Sequence, residues 1–127
     1  MTKINTRILD ANLNRLREAL RVIEDIYRYI YDDKPFASKV KHLRHQIRYE
    51  DITSLLENRD IKGDVLKKST ASEQTRINIQ DIIVANFKRG QESSRVLEEL
   101  FKISSIQYSE KFKSIRYELY DLEKQIV

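Results

Sequence analysis

The chain has 127 residues, of which 35% are charged and 40% apolar, with a formal net charge of +4. That balance describes one soluble domain with a single core and excludes a disordered segment. The lack of cysteine excludes disulfides and thiolate chemistry, and no apolar run approaches the roughly 20 residues needed to span a bilayer.

The N-terminus, M-T-K-I-N-T-R, has no apolar signal core, so a cytoplasmic location is expected. A pI near 9.3 fits an anionic partner such as a phosphorylated metabolite, a nucleotide or nucleic acid. Lys and Arg are interleaved with Asp and Glu, however, as on any solvated helix face. Two Gly and one Pro leave little material for tight turns and argue for long helices with few connections.

Helix 1 is expected over residues 8–31. Leu9, Leu13, Leu16, Leu20, Ile23, Tyr27 and Ile30 step by three and four, an amphipathic stripe. The run D-D-K-P at 32–35 breaks it, with Pro35 suited to the first turn of the next helix. Helix 2 carries Phe36, Val40, Leu43 and Ile47 and can continue through Ile52, Leu55 and Leu56 to Asn58, with a break possible at Thr53-Ser54. A turn is centred on Gly63. The spacing Thr70-Ala71-Ser72-Glu73 is that of a capping box and starts helix 3 near Ala71, to run to about Ile103. Its stripe is Ile79, Ile82, Ile83, Phe87, Leu97, Leu100 and Phe101, and Gly90 in mid-helix permits close approach of a backbone or ligand. Helix 4, capped at Ser104-Ser105 or Ser109, carries Tyr108, Phe112, Ile115, Leu119, Leu122 and Ile126 to the end of the chain.

The stretch A-N-L-N-R-L-R-E-A-L-R-V-I-E-D-I-Y-R (residues 11–28) returns as A-N-F-K-R-G-Q-E-S-S-R-V-L-E-E-L-F-K (residues 85–102), at a constant offset of 74. Asn12 matches Asn86, Arg15 Arg89, Glu18 Glu92, Arg21 Arg95 and Glu24 Glu98. Helices 2 and 4 match more weakly at an offset of 72, Arg44 over Arg116. The expected fold is therefore all-α: a single domain of four main helices built from a duplicated antiparallel helix pair, with halves at roughly 1–62 and 70–127.

Polar residues that recur as faithfully as apolar ones need a reason beyond packing. On a helical wheel Asn12 lies inside the apolar stripe and Arg15 at its edge, about 60° away. Asn86 and Arg89 repeat this. Such groups are costly unless paired. They can bond across a pseudo-twofold axis, or pair with Glu18, Glu92 or a neighbouring helix. They can instead line a polar pocket in which guanidiniums fork phosphate oxygens. On the second reading Arg15 and Arg89 are the catalytic candidates. Arg44, Arg116 and Lys88 join them on phosphates, Asn12 and Asn86 position the substrate or a metal-bound water, and Glu18 and Glu92 hold a cation. Arg21 and Arg95 lie nearly opposite the stripe and read as surface ion pairs with Glu18, Glu24, Glu92 and Glu98. Tyr27, Tyr49, Tyr117 and Phe87 could stack on a heterocycle, although core or surface packing accounts for most of them. His42 and His45 have metal-compatible spacing but no third His or Cys. No Walker-type, dinucleotide-binding or nucleophile-elbow motif occurs.

The segments R-I-L-D-A-N-L-N-R-L-R-E-A-L-R-V-I-E-D (7–25), K-H-L-R-H (41–45), E-Q-T-R (73–76), A-N-F-K-R-G-Q-E-S-S-R-V-L-E-E (85–99) and F-K-S-I-R-Y-E-L-Y-D-L-E-K (112–124) resemble one bacterial α-helical domain. That domain is found in front of thiamine-phosphate synthase in cyanobacteria and other bacteria, and also as a free-standing protein, the form this sequence resembles. The resemblance covers nearly the whole chain in order. Ser93-Ser94 departs from the Ala-Leu usual in that family. The resemblance implies a kinase that phosphorylates hydroxymethylpyrimidine phosphate to the diphosphate, with ATP and Mg²⁺ as cofactors and thiamine-phosphate synthase as a candidate partner. A non-catalytic phosphometabolite-binding or accessory domain is the alternative, and nucleic-acid binding ranks last because the arginines are not gathered on one exposed face. Tyr29 and Tyr31 would suit a homodimer contact, and the oligomeric state is open.

Overall fold

A computed structural model describes residues 3–69 and 75–126. Helix α1 spans Lys3–Asp25 and runs on as a π-helical turn, Ile26–Ile30. Next come helices α2 (Lys34–His45), α3 (Ile52–Glu57), α4 (Ile79–Ser104) and α5 (Ile106–Gln125), with no strand among the described residues. The all-α bundle is as expected. Helices α1 and α4 form the central pair; α2 folds back on α1, α5 folds back on α4, and short α3 leans on α1. The apolar stripes meet in one core in which Leu9, Leu13, Leu16, Leu20, Ile83, Phe87 and Leu97 are fully buried.

The duplication extends to fine detail. Asp33 caps α2 by accepting from the Phe36 N–H at 3.1 Å, and Ser105, 72 residues later, caps α5 by accepting from the Tyr108 N–H at 3.3 Å. The aromatic pair Tyr27–Phe36 (centroids 4.2 Å) recurs as Phe101–Tyr108 (5.0 Å). A Cβ added to Gly90 would lie 3.6 Å from Leu16 Cδ1 and 3.2 Å from Leu119 Cδ1. Leu16 is the repeat partner of Gly90, so equivalent positions of α1 and α4 meet here, and the missing side chain lets the two helices close.

The recurring Glu24 and Glu98 are not surface residues. They are 1% and 5% exposed, and each is neutralised by an arginine of the following helix. Arg44 Nε donates to Glu24 Oε1 at 2.6 Å and Arg116 Nη2 to Glu98 Oε1 at 2.7 Å. Arg21 and Arg95 reach the same carboxylates from outside, at 3.4 and 3.9 Å. The expected pairs form with their arginines at the surface, but their glutamates are buried, because α2 and α5 cover the flanks of α1 and α4 that carry them. The hydrogen bond it donates to Glu98 also holds the Arg116 guanidinium more basic than usual.

Three element bounds differ from expectation for identifiable reasons. Helix α2 stops at His45, not near Asn58, because Arg17 of α1 takes the Ile47 carbonyl at 3.2 Å and Asp51 opens α3 by capping the Ser54 N–H at 2.9 Å. Helix α4 begins at Ile79, where Asn78 caps the Asp81 N–H at 2.9 Å. The capping box at Thr70–Glu73 lies outside the described residues, and residues 75–78 are not helical. The i→i+5 turn at the end of α1 carries Ile30 off the stripe, leaving it 54% exposed.

Removing one partner of a buried ion pair leaves an uncompensated charge, which costs about 3 kcal/mol or more. Glu24→Ala and Glu98→Ala should each lower the unfolding free energy by that amount in urea titrations. The double variant Glu98→Leu/Arg116→Met should recover most of the loss.

Candidate functional site

With Arg44 and Arg116 given to glutamates, the other recurring polar residues separate from them. Asn12 is 4% exposed and donates its amide to the Ile8 carbonyl at 3.0 Å; Asn86 repeats this on Ile82 at 2.8 Å. Each amide group is anchored one turn back on its own helix, and neither bonds to the other. Among the described residues each Oδ1 accepts no hydrogen bond.

Arg15, Arg89, Glu18 and Glu92 are exposed. None of the four makes an ion pair or hydrogen bond with a described residue. Charged pairs that close α1 against α4 are therefore not their role. Instead a cleft of about 470 Å³ lies between those helices, lined by Asn12, Arg15, Lys88, Arg89, Glu92, Ser93 and Val96, with Ser69 and Arg76 from the connecting segment. The positions beside the α1–α4 crossing thus bring both recurring arginines to one opening. Among the described residues four cations (Arg15, Arg76, Lys88, Arg89) line this cleft with one carboxylate, Glu92. Lys88 is steadied by Glu123 at 3.2 Å. Ser93 donates back to the Arg89 carbonyl at 2.8 Å, which keeps the floor small.

A second cleft of about 800 Å³ adjoins the first, sharing Asn12, Arg15 and Val96. Its walls are partly apolar, with Ile8, Ala11 and Ile61. Its far side is built by Arg59, which grips Asp10 through two bonds of 2.7 and 2.6 Å, and by Arg7, which donates to the Asp60 carbonyl at 3.0 Å. The hydrogen bonds it donates to Asp10 hold Arg59 more basic than usual. Glu18 lines this cleft and not the first; Asn86 lines neither. Arg15 stands between two adjoining openings, one strongly cationic and one partly apolar.

Phe87 and Tyr27 are core, Tyr117 is exposed, and only Tyr49 of the stacking candidates lines a cleft, a different one. Arg76 is a cleft residue that sequence reasoning missed, although it ends the E-Q-T-R segment; nothing periodic marks it, because it lies outside any helix. Among the described residues no three His, Cys, Asp or Glu side chains gather as a metal site. No helix among them is long and apolar enough to cross a membrane.

The fold and cleft define a class: a duplicated helical bundle with a cationic opening at its centre. The chain belongs to the ThiD2 family, whose pattern it matches over residues 7–125. It is 37% identical over 122 residues to a thiamine-phosphate synthase of Nostoc punctiforme, covering 95% of this chain and 35% of that protein. It is 38% identical over 123 residues to one of Thermosynechococcus vestitus (94% and 34%) and 40% identical over 118 residues to one of Prochlorococcus marinus (92% and 34%). The chain spans about a third of the length of these relatives. No solved structure matches it.

Exposed side chains without partners contribute little to stability. Arg15→Ala and Arg89→Ala should each change the unfolding free energy by less than about 0.5 kcal/mol. Each should weaken binding of inorganic pyrophosphate about tenfold by calorimetry, the worth of one charge-assisted hydrogen bond.

Proposed function

We propose that the chain is an ATP-dependent kinase of thiamine biosynthesis that converts hydroxymethylpyrimidine phosphate to the diphosphate. The observation that carries this reading is the cleft that gathers Arg15, Arg76, Lys88 and Arg89 around one carboxylate, in a chain of the ThiD2 family whose relatives include thiamine-phosphate synthases.

The chemistry suits such a site. The nucleophile is a phosphate oxygen of the monophosphate, whose second pKa is about 6. It is already deprotonated at neutral pH, so no general base is needed. A P–O bond forms between that oxygen and the γ-phosphorus of ATP, the bond to the β,γ-bridging oxygen breaks, and ADP leaves. Two anions must be brought together and the charge on the transferring group must be held, which is work for oriented cations.

On this reading Arg15 and Arg89 fork the reacting phosphates, Lys88 adds a point charge, and Asn12 offers its unbonded Oδ1 to the substrate. The monophosphate occupies the cationic cleft and the nucleoside lies along the apolar walls of its neighbour, with Arg15 between them. Arg44 and Arg116 act only by holding the helices. Glu92, lone in its cleft, suits a magnesium ion held mainly by phosphate oxygens and water, with Glu18 at the adjoining wall. That ion would neutralise charge on the transferring phosphates.

The test is ³¹P NMR of the full chain with ATP, Mg²⁺ and the pyrimidine monophosphate. A diphosphate product and ADP in equal amounts are expected, with kcat/KM at least about 100-fold lower in Arg89→Ala, the upper range for a bond to a charged group. Saturable binding of the monophosphate with no product from folded protein would establish the accessory-domain alternative instead.

A further inference from the structure

Another cleft, of about 820 Å³, lies between α1, the segment after α2, and the first turns of α5. Arg17, Arg48, Tyr49, Tyr108 and Lys111 line it. It contains neither Arg15 nor Arg89, and it shares Glu18 with the second cleft.

Its charges are poorly satisfied. Lys111 is half-buried, and among the described residues its Nζ meets no carboxylate. It sits 5.6 Å from the Tyr108 ring centroid and 5.9 Å from that of Phe112. Burial first, and the like charge of Arg48 second, make its ammonium more acidic than usual. Arg48 spends one N–H on the His45 carbonyl at 3.0 Å and pairs with no acid among the described residues. Arg17 donates to the Ile47 carbonyl and to Asn14 Oδ1, and burial lowers its pKa. Two carboxylates, Glu18 and Glu50, share the cleft, and Glu50 acts on the Tyr108 hydroxyl.

The internal repeat shows that the architecture does not require Arg17 or Arg48. At the matching places of the other half, Arg17 is replaced by Gln91 and Arg48 by Tyr120. The counterpart of Lys111 is Lys39, which is satisfied by Gln125 at 3.3 Å. Gln91 is likewise satisfied, by Glu123 at 3.0 Å. One half thus carries two added cations, of which Arg48 pairs with no carboxylate among the described residues, beside an aromatic pair. Tyr49 and Tyr108 meet edge to face with centroids 5.6 Å apart.

We propose that this cleft is a second ligand site, for a phosphorylated aromatic compound of the nucleotide class. Its phosphates sit between Arg48 and Lys111 and its ring lies against Tyr49 and Tyr108. Phosphate supplies the counter-charge the two cations lack. The tyrosines supply a stacking surface, and the ring is what separates a nucleotide from free phosphate.

The experiment is NMR of the Tyr49 and Tyr108 rings in the full chain carrying Arg15→Ala and Arg89→Ala, so that the first cleft is disabled. ADP, inorganic pyrophosphate and adenosine are titrated separately. ADP should shift both rings saturably with Kd below about 1 mM, pyrophosphate should bind several-fold more weakly, and adenosine more weakly still. Adding Lys111→Glu or Arg48→Gln should weaken ADP by about tenfold or more, with the rest of the spectrum confirming the fold. The absence of a saturable shift, or unchanged affinity in both variants, would overturn the site. Pyrophosphate binding as tightly as ADP would overturn the aromatic half of the assignment.

Discussion

The structure depends on two buried carboxylates. Glu24 and Glu98 lie where the central helices are covered by their partners, and an unpaired carboxylate buried there would be costly. Arg44 and Arg116 supply the compensating charge at 2.6 and 2.7 Å, and in doing so they fix which face α2 turns to α1 and α5 to α4. The stripes Val40–Leu43–Ile47 and Phe112–Ile115–Leu119 are then aimed at one core. The two pairs are not identical. Arg44 gives Glu24 both Nε and Nη2, whereas Arg116 uses Nη2 and leaves a buried Nε without a partner. Rings of Tyr117 and Tyr120 lie 5.0 and 5.9 Å from its guanidinium carbon and take part of that load.

With those arginines committed to structure, Arg15 and Arg89 are left exposed and without partners among the described residues. The repeat carries two sets of polar residues. One set closes each helix pair on itself. The other, Asn12, Arg15 and Arg89, lines the cleft between α1 and α4, where Gly90 brings the helices together and no carboxylate among the described residues pairs with these arginines. A duplicated unit needs both: neither pair can bury its stripe alone, and the opening exists only where the two copies meet.

Much of the fold is legible in the sequence, and the exceptions share a cause. The stripes, the 74-residue echo and the inward place of Asn12 are properties of one helix at a time. The pairing of Glu24 and Glu98 is not, because a wheel treats α1 and α4 as isolated cylinders and cannot show that α2 and α5 cover that flank. Arg44 and Arg116, at the edges of their stripes, look like phosphate ligands for the same reason. The end of α2 depends on Arg17, 30 residues away, which no local propensity reports. The π turn at Ile26–Ile30 carries no Gly or Pro to announce it. Arg76 enters the cleft from an irregular segment, where periodicity has nothing to say.

The recurring arginines divide into a structural pair, Arg44 and Arg116, and a pair proposed to bind phosphate, Arg15 and Arg89. The direct measurement is the rise in thermal unfolding midpoint on adding the pyrimidine monophosphate, compared between Arg89→Ala and Arg116→Met. Ligand that binds only the folded state raises that midpoint in proportion to its affinity. Arg116→Met should start from a lower midpoint and keep the rise, while Arg89→Ala should start near the parent value and lose it. A rise kept by Arg89→Ala and lost by a folded Arg116→Met would contradict that division.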